Sequence, residues 1–439
     1  MSKTKMIITD VIVGILLAAL VVGNSLAMTF KDLITIYLGQ DNYEAVSADS
    51  ADIDNIYYKS EFSTAAALVE AQRNFSMDLQ AEATVLLKNA NETLPLATGS
   101  KITLLGAGTA MDQFIAGGIG SGAIDTSSIK PLSDCFKDAG YEVNQAMVDF
   151  YAVGGGSTYR RSAAKGTISE CPVSAFTQTE LDSIAEYGDA AVIVFGRVSG
   201  EGTDIPKSTT DDPEKSFLQL SKEEVELVQF ATENFDKTVV LLNTTMAMEV
   251  DDIADLDIAI AYIGAGGMAG HEAIPEILNG VRFPSGRLTD TYVKNSMQNP
   301  SSPNYDVFQF VPPSGADTTF TDTSYVLYEE GIYVGYRYYE TRYEDKVLGT
   351  PNTGDYNYDD VVMYPFGYGL GYTTFAWTEF GQEENEDSFE FAVTVTNNGS
   401  YSGKDVVEIY MQSPYTKYDK ENGLEKASVV LAGDRKSVG

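Results

Sequence analysis

One segment of the sequence places a carboxylate where it can do acid/base chemistry. An apolar run ends at Arg197, and Glu201 then stands between Gly200 and Gly202, with Asp204 close behind. Glycines on both sides permit tight backbone turns, so this loop can extend one carboxylate from the rim of a sheet into a cleft. A general acid protonates a departing oxygen, as glycoside cleavage requires, and a single positioned glutamate suits that task. Glu201 is therefore the candidate catalytic residue.

Two neighbours of Glu201 are candidates for a supporting role. Arg197 and Asp204 can orient Glu201 or bind a hydroxyl group of a substrate, and an internal salt bridge or loop contact is an open alternative for both. On residue types alone, Glu201 can also be an ordinary solvated loop glutamate. The spatial arrangement has to decide between these interpretations.

The histidine and cysteine content of the sequence indicates that carboxylates carry out any catalysis. The sequence has one histidine, His271, and two cysteines, Cys135 and Cys171. Catalytic triads and histidine-based zinc motifs need histidine beside fixed partners, and two distant cysteines do not make a thiolate zinc site. We therefore expect no metal and a structural role for His271. A disulfide between the two cysteines stays open.

The charge of the chain argues against one class of partner. The sequence contains 64 acidic and 29 basic residues, for a formal net charge of -35. Such a charge repels a phosphate backbone, so no binding to nucleic acid is expected. The glycine turn from Gly106 to Gly108 fits the start of a dinucleotide-binding motif only weakly, because Met111 stands at the third glycine position and no acidic residue follows at the expected distance.

The N-terminus carries an export segment. Lys3 and Lys5 precede an apolar run, and small residues follow at the offsets of a signal cleavage site. Residues 1–28 can be a cleaved signal peptide or an uncleaved anchor, because the run nearly reaches across a bilayer. The lysines favour a cytoplasmic N-terminus, so we expect the rest of the chain to be extracytoplasmic, either secreted or anchored by residues 6–27. Residues 40–61 are polar and acidic, and we expect residues 29–63 to form a spacer.

Beyond the spacer, strand-like apolar runs alternate with helical patterns. The predicted strands are 102–105, 190–195, 238–242 and 258–263, and the predicted helices are 65–86, 129–139, 179–187, 222–235 and 271–278. This alternation predicts an α/β fold, a layered α/β sandwich with a mostly parallel sheet. Ligands of such sheets gather at the carboxyl ends of the strands, which directs attention to the loops after Leu105 and Phe195.

After residue 375 the apolar pattern changes to period two. Two such runs, 389–396 and 405–410, flank a turn-rich stretch. Only four or five strands fit before residue 439, whereas a closed sandwich of this kind usually needs about seven. We therefore expect residues 376–439 to form part of a β-sandwich, with the chain ending inside that domain.

Six short stretches of the sequence occur in an order that is specific to one protein family, although no single stretch identifies that family. They are 81–89 with Leu94-Pro95-Leu96, the glycine loops within 106–122, the segment 200–204 around Glu201, 264–288, 335–339 and 364–372. In this order they resemble the α/β sandwich domain of glycoside hydrolase family 3, over residues 64–375. The resemblance continues into the family's next domain, which is fibronectin type III-like, and it implies that residues 376–439 are a part of that domain.

The resemblance also implies an activity. It implies a retaining, exo-acting β-glycosidase of the β-glucosidase type, which acts on an oligosaccharide or β-glycoside without metal or organic cofactor. Glu201 is then the acid/base. The nucleophile is an aspartate on a (β/α)8 barrel, for which this sequence has neither the length nor the motif. An export segment just ahead of the sandwich resembles the circularly permuted members, in which the barrel follows, so a barrel in cis or in trans is the expected partner.

Two hypotheses about function result. In the first, the chain supplies the acid/base of an extracellular hydrolase of carbohydrate catabolism and is inactive by itself. In the second, it is a non-catalytic, membrane-tethered subunit that binds glycans or completes the site of a partner. Activity of the complete protein, and its loss on Glu201→Ala, separates the two.

Overall fold

The computed structural model describes residues 3–31, 61–117, 124, 129–162, 167–200, 204–209, 212–304, 308–309, 324–350 and 353–437. The chain forms two compact units, residues 1–63 and 64–439. The first contains helix α1 (Lys3–Thr29). Within the described residues, α1 is the one helix long and apolar enough to cross a membrane, through Val11–Thr29 with a mean hydropathy of 2.4. The predicted apolar N-terminal helix is therefore confirmed, and it is compatible with both a signal peptide and an anchor.

The second unit alternates helices and strands. Its helices are α2 (Ala65–Ala83), α3 (Leu132–Asp138), α4 (Gln145–Ala152), α5 (Gln178–Glu186), α6 (Lys222–Asn234), α7 (Ile274–Leu278), α8 (Tyr336–Leu348), α9 (Tyr358–Val361) and α10 (Lys417–Glu421). Its strands are β1 (Val85–Asn89), β2 (Lys101–Leu105), β3 (Glu142–Val143), β4 (Ala190–Arg197), β5 (Lys237–Thr244), β6 (Ala259–Tyr262), β7 (Tyr292–Val293), β8 (Phe308–Gln309), β9 (Ser324–Tyr325), β10 (Val362–Tyr364), β11 (Phe375–Glu384), β12 (Phe389–Asn397), β13 (Val406–Met411) and β14 (Val430–Lys436). All four strands predicted between residues 102 and 263 are present.

A six-stranded sheet forms the centre of this unit, in the order β1-β6-β5-β4-β2-β3. Strands β2 to β6 pair in parallel, and β1 pairs antiparallel with β6 at the sheet edge. In register, Ile193 of β4 lies between Leu105 of β2 and Val240 of β5. Long apolar runs are typical of strands that are covered on both faces. The predicted α/β fold with a mostly parallel sheet is confirmed.

Two hydrophobic cores cover the two faces of the sheet. Alternate residues of β4 point to opposite cores, with Ile193 and Phe195 in one and Val192 and Val194 in the other. The first core also contains residues of α4, α5 and α6, and the second contains residues of α3 and α7. Helices on both faces make the three layers of an α/β sandwich.

Two predicted helices begin later than the apolar pattern indicated. Helix α3 starts at Leu132 instead of residue 129, because Pro131 occupies the position just before it. The segment predicted as helix 271–278 starts as a tight 3-10 turn over Gly270–Ala273 and becomes α-helical only at Ile274. Pro275 lies at the start of α7, where its missing N–H costs no intrahelical hydrogen bond.

The C-terminal strands form antiparallel pairs, β11 with β12 and β13 with β14. The period-two runs are therefore confirmed as strands, while their assignment to a fibronectin-like domain stays a prediction. Most side chains of β11 and β12 are exposed. Contacts with the α/β part include those of Glu82, which accepts from Lys404 at 2.5 Å and from Lys436 at 2.8 Å, and of Arg287, which donates to Asp405 at 2.6 Å.

Candidate active site

The parallel strands bring four loops to one edge of the sheet. Strands β2, β4, β5 and β6 run in the same direction, so the segments after Leu105, Arg197, Thr244 and Tyr262 emerge at the same side. Ligands of open α/β sheets bind at this carboxyl edge. Residues from distant parts of the chain meet here.

Arg197 ends β4 with a buried side chain, of which 1 % is exposed. Its Nη1 and Nη2 each donate to one carboxylate oxygen of Glu224 at 2.8 Å. The other N–H groups donate to the carbonyls of Gly196, Phe217 and Gln219. All five N–H groups are thus used inside the protein, and Arg197 forms the internal salt bridge that was its open alternative and fixes the end of β4. Its role as a substrate-binding residue stays a prediction.

Glu224 reaches Arg197 because it also starts helix α6. Its backbone N–H donates to Ser221 Oγ at 3.2 Å, and its Oε2 accepts from the backbone N–H of Ser221 at 2.8 Å. This reciprocal capping box satisfies two N–H groups at the helix terminus. One buried carboxylate, 3 % exposed, therefore ties the start of α6 to the end of β4.

Glu201 and Gly202 lie outside the described residues, so the assignment of Glu201 as acid/base stays a prediction. The described chain reaches Gly200 on one side and resumes at Asp204 on the other. Asp204 is exposed, and its role as a substrate-binding residue also stays a prediction. What the structure adds is the anchor of this loop, because Arg197 is held firmly only four residues before Glu201.

Asn243 joins two of the loops at this edge to strand β5. It lies near the end of β5 and is fully buried. Its Oδ1 accepts from the backbone N–H of Ile115 at 2.5 Å, and its Nδ2 donates to the carbonyls of Ile115 and Gly264 at 2.8 Å. The loop after β2 and the turn after β6 are therefore both tied to β5.

Arg161 places a positive charge over the end of β4. A Cβ atom on Gly196 would lie 2.6 Å from Arg161 Nη1 and 2.9 Å from the carbonyl oxygen of Asn243, so a larger residue would displace the guanidinium and clash with the backbone of β5. Burial and the neighbouring charge of Arg197 lower the pKa of Arg161 to about 10, which leaves it protonated at neutral pH. Within the described ranges, no hydrogen bond or ion pair reaches its guanidinium. Arg161 is therefore a further candidate to bind a substrate oxygen.

The carboxylate of Glu170 binds the backbone of the glycine turn after β2. Its carboxylate accepts from the N–H of Ala107 at 2.9 Å and from that of Cys171 at 2.8 Å. Burial raises the pKa of Glu170 to about 8, although these two hydrogen bonds oppose the shift. A Cβ on Gly108 would lie 2.4 Å from the carbonyl oxygen of Val194, so this glycine allows the turn to pack against β4. The turn serves close packing and a buried acid, which makes it a poor phosphate site.

The histidine and the cysteines have structural surroundings. His271 is fully buried, with Nε2 2.8 Å from the carbonyl of Lys130 and its ring 5.4 Å from that of Phe114, and burial lowers its pKa. Cys135 and Cys171 are both free and buried, so they do not form a disulfide. Burial raises the pKa of each thiol to about 12, which removes the reactive thiolate at neutral pH. Among the described residues, no cluster of three His, Cys, Asp or Glu side chains could hold a metal ion.

Two cavities open near the carboxyl edge, and Met246 lines both. The larger, about 550 Å³, is lined in part by Glu82, Arg287 and Lys436, whose charges already form the ion pairs with the C-terminal strands. The smaller, about 400 Å³, is lined by residues on both sides of the Glu201 segment, including Ser199 and Ile205. The smaller cavity is therefore bordered by described residues that flank the Glu201 segment.

The sequence analysis missed Arg161, Glu170, Glu224 and Asn243. Glu224 had a signal, since Ser221 and Glu224 have the spacing of a capping box. Asn243 had a weaker one, because it is a polar residue inside an apolar strand run. Arg161 and Glu170 lie in loops without a recognisable motif, so only the folded chain brings them to the sheet edge.

Comparison with known families and proteins gives one consistent result. The family described as Glycosyl hydrolase family 3 C-terminal domain matches residues 84–336. Beta-glucosidase A of Butyrivibrio fibrisolvens is 30 % identical over 413 residues, covering 84 % of this chain and 45 % of that protein. A beta-glucosidase of Ruminococcus albus is 28 % identical over 376 residues, covering 82 % of this chain and 34 % of that protein.

Solved structures agree with the sequence relatives. Beta-glucosidase 3B from Thermotoga neapolitana, in complex with alpha-D-glucose, superposes with a TM-score of 0.65 at 27 % identity, covering 84 % of this chain and 47 % of that one. A beta-glucosidase from Paenibacillus barengoltzii gives a TM-score of 0.65 at 28 % identity, covering 84 % and 37 %. The chain thus spans about half or less of the length of these relatives.

Proposed function

We infer the function of this chain from one premise: it belongs to glycosyl hydrolase family 3. We propose that it supplies the acid/base half of a retaining, exo-acting β-glycosidase, with a β-glucoside as substrate, since its relatives carry the name beta-glucosidase. The observation that carries the proposal is the Gly-Glu-Gly loop around Glu201, which directly follows the anchored end of β4 at the carboxyl edge of the sheet.

The proposed mechanism uses two carboxyl groups. Glu201 protonates the glycosidic oxygen while an aspartate attacks the anomeric carbon and forms a glycosyl-enzyme intermediate. The Glu201 carboxylate then takes a proton from water, which attacks the same carbon and releases the sugar. Retaining enzymes place the two carboxyl groups about 5 to 5.5 Å apart. We propose that the aspartate comes from a (β/α)8 barrel in cis or in trans, and that the 439-residue chain by itself is inactive.

The chain's own residues support this division of labour. Arg197 and Glu224 fix the strand end that carries the Glu201 loop, and a general acid has to be held within hydrogen-bond reach of the leaving oxygen. Arg161 adds a protonated guanidinium at the same edge, suited to a substrate oxygen. No step of this mechanism needs a metal or an organic cofactor.

Two further assignments belong to the proposal. We assign residues 376–439 to a fibronectin type III-like domain, which is supported by the antiparallel pairs β11–β12 and β13–β14. We place the second unit outside the cytoplasm, since α1 is apolar and Lys3 and Lys5 flank its N-terminal end. A circularly permuted domain order is consistent with both assignments.

The test replaces Glu201 in an assembled enzyme. The chain is fused to, or mixed with, a family 3 barrel, and hydrolysis of aryl and alkyl β-glucosides is measured. Glu201→Gln should lower kcat/KM for the alkyl glucoside about 10²- to 10⁴-fold, the usual contribution of a general acid. The loss should be smaller for an aryl glucoside with a good leaving group, because that oxygen needs less protonation.

Glu214→Gln is the matched control, since Glu214 is exposed and lies 13 residues further along the same region. It should leave kcat/KM unchanged. Equal activity of Glu201→Gln and the unsubstituted chain would exclude Glu201 as the acid/base. A folded assembly without turnover, which still binds glycans, would favour the non-catalytic accessory subunit.

A further inference from the structure

The larger of the two cavities, called here the Tyr292 cavity, lies between the α/β part and the C-terminal strands. Tyr262 of β6 lines it on one side, and Val406 of β13 and Leu431 of β14 line it on the other. Its volume of about 550 Å³ lies within the usual range for small-molecule sites. The described residues that flank the Glu201 segment take no part in its wall, so this cavity is separate from the proposed acid.

The wall of the Tyr292 cavity carries more negative than positive charge. Two cationic side chains line it, and both are paired, Arg287 with Asp405 and Lys436 with Glu82. Four carboxylates line it, and among the described residues only that of Glu82 has a cationic partner. The other three are Asp290, Glu408 and Asp434. A cation bound here would therefore meet carboxylates that no other charge neutralises, in a partly enclosed space where charges attract more strongly than in bulk water.

Asp290 is the carboxylate that a bound cation would stabilise most. Its Oδ1 accepts from the backbone N–H of Thr291 at 2.8 Å. Although Asp290 is exposed, desolvation by the surrounding side chains raises the pKa of its carboxyl group, against the effect of the Thr291 N–H. Such a shift is expected for a carboxylate without a positive charge beside it. Glu408, by contrast, already accepts from the hydroxyl of Tyr410 at 2.7 Å.

The hydroxyl of Tyr292 is a second, independent indication of a ligand. Tyr292 lines the cavity and is 2 % exposed, and its Oη has no hydrogen-bond partner within the described part of the chain. Buried polar groups nearly always have a partner, because an unpaired one has lost its hydrogen bonds to water. Burial raises the pKa of Tyr292, and the neighbouring Tyr262 and Asp290 raise it further, so these three polar groups lie near one another.

From this arrangement we propose that the Tyr292 cavity binds a small organic cation, a primary ammonium group on an apolar or aromatic body. The ammonium donates to the Asp290 carboxylate and to Tyr292 Oη, and the body packs against Phe366 and Leu431. Carboxylates form strong, charge-assisted hydrogen bonds with ammonium groups, and the faces of aromatic rings attract cations. The proposal goes beyond the proposed function and does not depend on it, since it uses neither Glu201 nor a barrel.

Two other classes of ligand fit this wall less well. Among the described residues, no cluster of three His, Cys, Asp or Glu side chains could hold a metal ion. A neutral sugar could accept hydrogen bonds from the hydroxyls of Tyr262 and Tyr292, but it would leave the excess negative charge of the wall without a partner. An organic cation satisfies both the charge and the buried hydroxyl.

The test compares a cation with a neutral molecule of nearly the same size. The full chain is placed in lipid nanodiscs and titrated with 4-fluorobenzylamine, which is protonated at neutral pH, or with 4-fluorobenzyl alcohol, which has no charge. The 19F NMR signal of each compound reports binding, and empty nanodiscs correct for partition into lipid. We expect the amine to bind about 10-fold more tightly than the alcohol, and we expect salt to reduce this difference.

Matched variants locate the site. Asp290→Asn removes one charge and Tyr292→Phe removes only the hydroxyl, and each should weaken binding of the amine about 3- to 10-fold. Asp236→Asn is the control for charge, because Asp236 is exposed and does not line the cavity. Tyr141→Phe is the control for the hydroxyl, because Tyr141 Oη is also buried without a partner among the described residues but lies outside the cavity wall. Neither control should change binding.

Four results contradict the cation site: equal binding of the alcohol, unchanged binding in Asp290→Asn and Tyr292→Phe, an equal loss in the two controls, or displacement of the amine by glucose at the same concentration. An equal loss in Asp236→Asn would mean that the amine follows the net charge of -35 instead of the cavity. Displacement by glucose would make the cavity a sugar site. Each of these results leaves the acid/base proposal untouched, because the titration measures neither turnover nor the Glu201 loop.

Discussion

Two regions of this protein are held by charged side chains, with opposite consequences. At the carboxyl edge of the sheet, Arg197 and Glu224 are 1 % and 3 % exposed and bind each other through two hydrogen bonds. At the C-terminal strands, Glu82 binds Lys404 and Lys436 with 32 % of its side chain exposed. A buried pair is costly to break, because the remaining charge has no water, whereas water replaces an exposed partner easily.

The two regions therefore differ in how firmly their positions are fixed. The edge that carries the Glu201 loop is fixed by Arg197, Glu224 and Asn243, all inside the protein. The ion pairs of Glu82 with Lys404 and Lys436 lie partly in solvent and can exchange with water and salt. Trp377, on β11, is the only tryptophan, so its fluorescence follows the C-terminal strands while circular dichroism follows the helices of the α/β part.

The largest effect should come from breaking the buried pair. Arg197→Met leaves the Glu224 carboxylate buried without its partner, and we expect the free energy of unfolding to fall by about 3 to 5 kcal/mol. Urea unfolding followed by circular dichroism measures this change. The double variant Arg197→Met/Glu224→Leu should recover most of the lost stability, since no charge stays buried. An unchanged urea midpoint in Arg197→Met alone would contradict the contrast between the two regions.

The next effect should come from Asn243. Asn243→Ala removes the partners of three backbone groups in the loops after β2 and β6, and we expect a loss of about 2 to 4 kcal/mol. Hydrogen exchange at Ile115 should rise with it. Asn234→Ala is the control, because Asn234 is exposed and bonds only within its own helix, and should cost less than about 0.5 kcal/mol.

Glu170 should make the same edge sensitive to pH. Because its pKa is raised to about 8 in the folded state, its contribution to stability is fully present below the ordinary value of 4.5 and is lost as the pH rises through 8. The free energy of unfolding of Glu170→Gln should therefore increase relative to that of the unsubstituted chain as the pH rises between these values, by on the order of 5 kcal/mol in total. Urea unfolding at several pH values tests this, with the exposed Glu186→Gln as control. A difference that does not depend on pH would show that Glu170 titrates normally.

The smallest effect should come from the exposed pairs of the C-terminal strands. Burial alone would raise the pKa of Glu82, but Lys404 and Lys436 lower it to about 2, so these pairs stabilise the fold above pH 4.5 and lose their effect as the pH falls toward 2. Glu82→Gln should cost less than about 1 kcal/mol, seen in Trp377 fluorescence and not in circular dichroism.

Raising the salt concentration tests the same contrast between the Glu82 pairs and the Arg197–Glu224 pair. At about 1 M salt the Debye length falls to roughly 3 Å, so the cost of Glu82→Gln should vanish while that of Arg197→Met persists. Glu421→Gln, in the exposed pair with Lys417 on α10, should have no measurable effect at any salt concentration. Equal salt sensitivity at Glu82 and Arg197 would remove the distinction between the two regions.

Much of the fold could be predicted from the sequence, because it depends on local patterns. Apolar runs of strand length located β2, β4, β5 and β6, and helical spacing located α5 and α6 within a residue or two. The starts of α3 and α7 were less accurate, because Pro131 and Pro275 shift the first helical turn in ways that apolar spacing does not record.

The candidate site was only partly predictable. The residue type of Glu201 and the glycines beside it made it a candidate, and the resemblance of residues 200–204 to the family implied its role. The role of Arg197 could not be read in the same way, because its partner Glu224 lies 27 residues away and faces it only after α6 packs against β4. An internal salt bridge was one of several alternatives for Arg197, and only the fold shows its contact with Glu224.

The sequence by itself determined the layered α/β architecture and the apolar N-terminal helix, and it predicted that carboxylates do any chemistry. These follow from composition and short-range periodicity, which act within one helix or strand. Only the tertiary structure decided that Arg197 is an internal anchor, that Asn243 ties two loops to β5, that Cys135 and Cys171 stay apart, and that Ser199 and Ile205 line a common cavity. Those properties depend on which distant residues meet when the strands pair in register, and no local pattern encodes such distances.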